Sequence, residues 1–144
     1  MPANRTIPVL LCLGIAPLAV GTAARGKTSP PPGDTVVVKL KPRNGSGVSG
    51  TATLTPVDGY PHIVVTLKKP VRVHGSLPAH LHIGPCKIDP NFNVQSLLKN
   101  VVHGGSVTVL KYTNWATLRA GTFSIHVHAP NYDVIACGDV PRAR

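Results

Sequence analysis

The sequence contains no glutamate, and five aspartates stand against fifteen lysines and arginines. Hydrolysis by paired carboxylates needs one acidic side chain as acid and another as base. Asp34 and Asp58 fall in turn-like phrases, where aspartate serves local backbone geometry, so few candidates remain for that chemistry. Aromatic residues make up only 4% of the chain, which leaves few faces for stacked bases and argues against a nucleic-acid partner. There is no Gly-x-Ser-x-Gly phrase, so no nucleophile elbow is expected. Long apolar runs are missing too. The longest, residues 7–20, has 14 residues and two prolines, whereas a spanning helix needs about 20. No membrane span is expected.

That short run has the form of an export signal. Arg5 precedes it, and Gly21-Thr22-Ala23-Ala24 offers small residues for cleavage near Ala24. Residues 1–24 therefore read as a signal peptide, residues 25–34 as an extended proline-rich linker, and residues 35–141 as the folded domain. The expected location is secreted, either extracellular or periplasmic. Residues 21–28 also fit the phosphate-loop pattern GxxxxGK[ST] letter for letter. A phosphate loop must open directly into a helix, and Pro30-Pro31-Pro32 forbids one, so the match is coincidental.

The domain is rich in valine, threonine, glycine and proline and lacks helical periodicity, which predicts an all-β fold. Strands are expected over residues 35–41, 51–55, 62–67, around 80–82, 97–102, 106–112, 121–128 and 134–140. Residues 114–118 form one helical turn, and residues 57–60 turn a hairpin. Seven to eight short strands with turns at this spacing indicate a Greek-key sandwich or barrel. Asn44-Gly45-Ser46 is a glycosylation sequon. The net charge of +10 suits attraction of small anions or attachment to anionic cell-surface polymers.

Two of the strands carry histidine pairs. In His80-Leu81-His82-Ile83, alternation puts His80 and His82 on one face and Leu81 and Ile83 on the other, toward a core. In Phe123-Ser124-Ile125-His126-Val127-His128, the apolar residues again alternate with His126 and His128. If the two strands lie adjacent, four imidazoles converge. Such a nitrogen-donor set suits copper(II) and tolerates zinc. The second ring nitrogens would be held by a backbone carbonyl, Asp89 or Asp133. On the alternative reading the histidines only brace a polar sheet face. His103 belongs to a solvent-facing turn, and His62 and His74 have no assigned role. Of three cysteines, Cys12 lies within the signal. Cys86 and Cys137 remain, either as one disulfide or as reduced metal ligands.

The phrases Ser49-Gly50-Thr51-Ala52-Thr53-Leu54, Pro78-Ala79-His80-Leu81-His82-Ile83-Gly84-Pro85-Cys86 and Ala136-Cys137-Gly138-Asp139-Val140 resemble secreted proteins similar to copper/zinc superoxide dismutase. Residues 118–128 also resemble the closing motif of the chordin-type (CHRD) domain. The dismutase resemblance spans residues 35–140 and implies an eight-stranded Greek-key barrel with a Cys86–Cys137 disulfide. It further implies copper on His80 and His82, with His126 or His128 as a distal ligand and superoxide as substrate. Two departures count against the full activity. Residues 87–100 hold no histidine and only Asp89, so the family's zinc site is not expected, and Val134 occupies the position of its anion-guiding arginine. The chordin-type likeness implies instead a non-catalytic extracellular binding module.

Overall fold

The computed structural model describes residues 34–68, 75–86 and 93–143. The expected signal peptide with Cys12, most of the expected linker, the phosphate-loop-like phrase, the centre of the basic connection with His74, and Asp89 lie outside the described residues.

Eight strands and one short helix follow in order: β1 (Val36–Pro42), β2 (Gly50–Val57), β3 (Tyr60–Leu67), β4 (Leu77–Ile83), β5 (Val94–Val101), β6 (Gly105–Val109), α1 (Trp115–Ala120), β7 (Phe123–His128) and β8 (Val134–Asp139). The fold is all-β, as composition requires. Every pairing is antiparallel, in the sheet order β5-β4-β7-β8-β1-β2-β3-β6. The connections β3 to β4 and β6 to β7 cross between its two halves, which is the Greek-key feature. The end strands β5 and β6 are consecutive in the chain. A Val102–Gly105 bridge joins them, and the Lys99 amide donates to Thr108 Oγ1 at 2.9 Å, so the sheet curls into a nearly closed barrel.

Alternation fills the interior. Val38, Leu40, Ala52, Leu54, Ile63, Val65, Leu77, Leu81, Ile125 and Val127 are all buried in one core. Two-residue turns set the registers of β2–β3 and β5–β6. Asp58 and Gly59 have φ of 51° and 80°, and His103 and Gly104 have 53° and 86°, the left-handed pair that matches strand twist. His103 is therefore a turn residue facing solvent. Asn114 caps α1 by accepting from the Thr117 amide at 2.7 Å.

Several boundaries differ from the sequence reading. β5 begins at Val94, three residues early, because its outward residues Val94 and Leu97 are apolar yet exposed and hide the alternation. β6 ends at Val109 rather than continuing to Tyr112, and β2 and β3 each run two residues closer to their turn. Ile83 does not face the core. The register irregularity beside it adds Gln95 to β5 and leaves β4 in regular step with β7; Ile83 is the last residue of β4 and is 48% exposed. The sequon phrase is a clasp onto β8, since Asn44 Nδ2 donates to the Val134 carbonyl at 3.0 Å and Ser46 Oγ to that of Ile135.

β8 packs tightly across β1 at Gly138, where a Cβ would lie 2.4 Å from the Lys39 carbonyl oxygen and 2.6 Å from Val38 Cγ1. Gly138→Ala forces backbone apart in a closed barrel. Denaturant unfolding is expected to show a loss of about 2 kcal/mol, in the range for overpacking.

Candidate metal centre

β4 and β7 pair with His80 directly opposite His126 and His82 opposite Ser124. Since i and i+2 share a face, this register gathers His80, His82, His126 and His128 on one side of two neighbouring strands. The rings touch. His82 stacks on His126 at 4.1 Å between centroids, and His80 meets His128 at 4.7 Å. Donor nitrogens of His80, His82 and His128 lie within 4.8 Å of one another. Two nitrogens bound to one ion at about 2 Å each sit about 3–4 Å apart, so small ring rotations bring these three to a metal. His126 falls in a second group, its donor within 4.8 Å of Cys86 and Cys137 Sγ.

The face is not an open polar surface. All six residues of β7 are buried, and His82, His126 and His128 are 2–3% exposed. His80 alone is half-buried, so the cluster meets solvent at that ring. His128 is held by its Nδ1, which donates to the Tyr132 carbonyl at 2.8 Å. That bond fixes the tautomer and turns a lone pair on Nε2 toward the cluster, as outer partners of metal-binding imidazoles do. Tyr132 adopts φ 68°, a left-handed conformation uncommon for a non-glycine residue, at the carbonyl that performs this task. His126 Nε2 pairs with Ser124 Oγ at 2.9 Å. Among the described residues, the buried His80 Nδ1, His126 Nδ1 and His128 Nε2 have no hydrogen-bond partner. Buried polar atoms are rarely left so, and His80 and His128 each place a ring nitrogen in the group within 4.8 Å that could hold a metal.

Burial also keeps these rings neutral. It pushes His80 down to about 4, with His128 and His82 adding to the effect. It pushes His126 down to about 3, followed by the charges of His82, His128, Arg43 and His80. His128 is lowered by burial and partly raised by its bond to Tyr132. Unfolded imidazoles titrate near 6.5. Between that value and the lowered ones the unfolded chain binds more protons, so stability rises with pH there. The metal-free protein is expected to keep its stability above about pH 6.5 and lose it as pH falls toward about 3. Thermal unfolding at about pH 7.5 and about pH 4.5 reads this, and the His80→Ala/His126→Ala variant should flatten the difference.

Cys86 and Cys137 form a disulfide with Cα atoms 6.0 Å apart, linking the segment after β4 to β8. Asp139 accepts from the Cys86 amide at 2.8 Å, and Arg43 donates to the Cys86 carbonyl at 2.6 Å. Sequence reading missed three contributors here: Ser124, the Tyr132 carbonyl and Arg43. Only Arg43 had any signal, as the last of the cations alternating along Lys39, Lys41 and Arg43. Asp133 does not orient an imidazole. Its carboxylate accepts from Asn131. His62 sits on β3, away from β4 and β7, and Val134 is buried in β8.

No protein-family profile matches the chain, and no curated protein matches it by sequence. Solved structures do match it in fold. A point variant of superoxide dismutase 5 from Candida albicans superposes with a TM-score of 0.57 at 19% identity, over 77% of this chain and 93% of that one. The copper(II) form of the same Candida albicans enzyme gives 0.55 at 18% identity, over 81% and 94%. The chain thus has the superoxide-dismutase-like barrel. Among the described residues, no helix is long and apolar enough to cross a membrane.

Proposed function

We propose that the protein is a secreted copper-binding domain in which His80, His82 and His128 are the principal ligands and His126 backs the site against His82. The observation that carries this reading is the pair of buried nitrogens without hydrogen-bond partners, His80 Nδ1 and His128 Nε2, on rings that gather with His82 where β4 and β7 pair. Three or four imidazoles match copper(II) in donor type and preferred geometry, and zinc is the less favoured occupant. Bound copper would supply one-electron redox chemistry toward superoxide, the substrate named for the fold neighbours. The chain's own residues do the rest. Tyr132 and Ser124 orient the rings, the buried face excludes water, and half-buried His80 leaves an approach. Arg43 is the cation near His126 and can draw in a small anion, a task for which Val134 is useless.

The disulfide and the apolar leader of residues 7–20 support an oxidising destination outside the cell. A second reading, a non-catalytic chordin-type module attached to an anionic surface polymer, draws support from one feature. A groove of about 550 Å³ runs between β5 and β6, lined by Leu97, Val109 and Tyr112.

Loading the oxidised full chain with copper and zinc together, then desalting, separates the readings. The copper reading expects close to one copper per chain and superoxide consumption that slows as salt rises. Neither metal retained would reject it in favour of the binding module.

A further inference from the structure

Beside the imidazole cluster lies a group it does not use. On β8, Cys137 pairs with His126 of β7 on one side and with Lys41 of β1 on the other. A ring nitrogen of His126 and the two sulfurs lie within 4.8 Å of one another. Ser124 occupies Nε2 of that ring. Nδ1 is buried without a partner, on a residue 2% exposed. The sulfurs also border a cleft of about 200 Å³, lined by Lys39, Lys41, Arg43, Gly138 and Asp139. Cys86 is half-buried, so a small thiol entering the cleft meets its sulfur first.

We propose that reduction of Cys86–Cys137 opens a second metal site, made of two thiolates and His126 Nδ1 and selective for copper(I). Two molecules of a small thiol reduce the bond. The first attacks Cys86 Sγ and expels Cys137 as a thiolate. The second resolves the mixed disulfide, leaving two cysteine thiols and one oxidised small disulfide. On copper(I) binding each cysteine releases its proton. Nearby cations favour thiolate over thiol, and Lys39, Lys41 and Arg43 supply three.

Charge and coordination choose the metal. Two thiolates and one copper(I) carry a net charge of −1, which those cations balance across Asp139. Thiolate sulfur is soft and favours copper(I). Structural zinc takes four ligands, and here the protein offers three. The site shares only His126 with the imidazole cluster and stands whether or not that cluster binds copper.

The test uses the full chain carrying His80→Ala/His128→Ala, which removes the imidazole site. The protein is reduced with a phosphine, desalted without oxygen and titrated with copper(I) against a chromophoric chelator. Copper K-edge X-ray absorption then reads the ligand shell. The expected result is one copper per chain in the reduced protein and none in the oxidised protein, with a shell of two sulfurs and one nitrogen. Adding Cys86→Ser/Cys137→Ser should abolish the uptake. Equal uptake in both redox states, a shell of sulfur alone, or uptake surviving loss of the cysteines would overturn the site.

Discussion

Replacing His80 and His128 together by alanine is expected to reduce retained copper from near one equivalent to below about a tenth, with affinity falling more than about a thousandfold. Altering merely an outer partner of a ligating imidazole costs about 10–100-fold, and this variant removes two direct donors. His80 brings the ring that reaches solvent, and His128 the ring whose tautomer the Tyr132 carbonyl sets. Competition against a copper chelator measures the change, and far-ultraviolet circular dichroism checks that the barrel persists. His62→Ala and His103→Ala are the matched controls. Both histidines lie outside the β4–β7 face, one on β3 and one in an exposed turn, so their loss should leave copper binding unchanged. Equal weakening by all four substitutions would mean that copper binds histidine indiscriminately.

The second large effect concerns stability. The disulfide closes a loop across 51 residues of sequence separation. Removing a crosslink of that span is expected to cost about 4 kcal/mol in the chain-entropy model. For a domain near 100 residues, that corresponds to a fall of roughly 15–25 °C in Tm. Calorimetry of Cys86→Ser/Cys137→Ser against the oxidised parent reads it directly. The loss falls on local order as well, because the Cys86 segment is also held by Arg43 and Asp139. A change of a degree or two would show that those contacts hold the segment without the crosslink.

Much of this was legible from alternation. A period of two read through Val38, Leu40, Ala52 and Leu54, and through both histidine pairs, because inward residues of a barrel must be apolar. The pairing of β4 with β7 was not legible, although the site depends on it, because register between strands 40 residues apart leaves no local mark. Neither was the burial of the histidine face. Alternation separates two faces of a strand without saying whether the polar one is covered, and on β7 both are. Ile83 misled for a different reason: alternation gives the face of a side chain but not where the core ends, and Ile83 is the last residue of β4. The orienting carbonyl of Tyr132 had no sequence signal at all, because every residue carries one.

Copper binding in the proposed site requires imidazoles of β4 and β7 to act together. Electron paramagnetic resonance of the oxidised full chain, loaded with one equivalent of copper(II) and desalted, tests it most directly. The expected result is one tetragonal copper signal with couplings from at least three imidazole nitrogens, lost in the His80→Ala/His128→Ala variant. A signal of free or oxygen-bound copper, or the same nitrogen couplings in the variant, would contradict it.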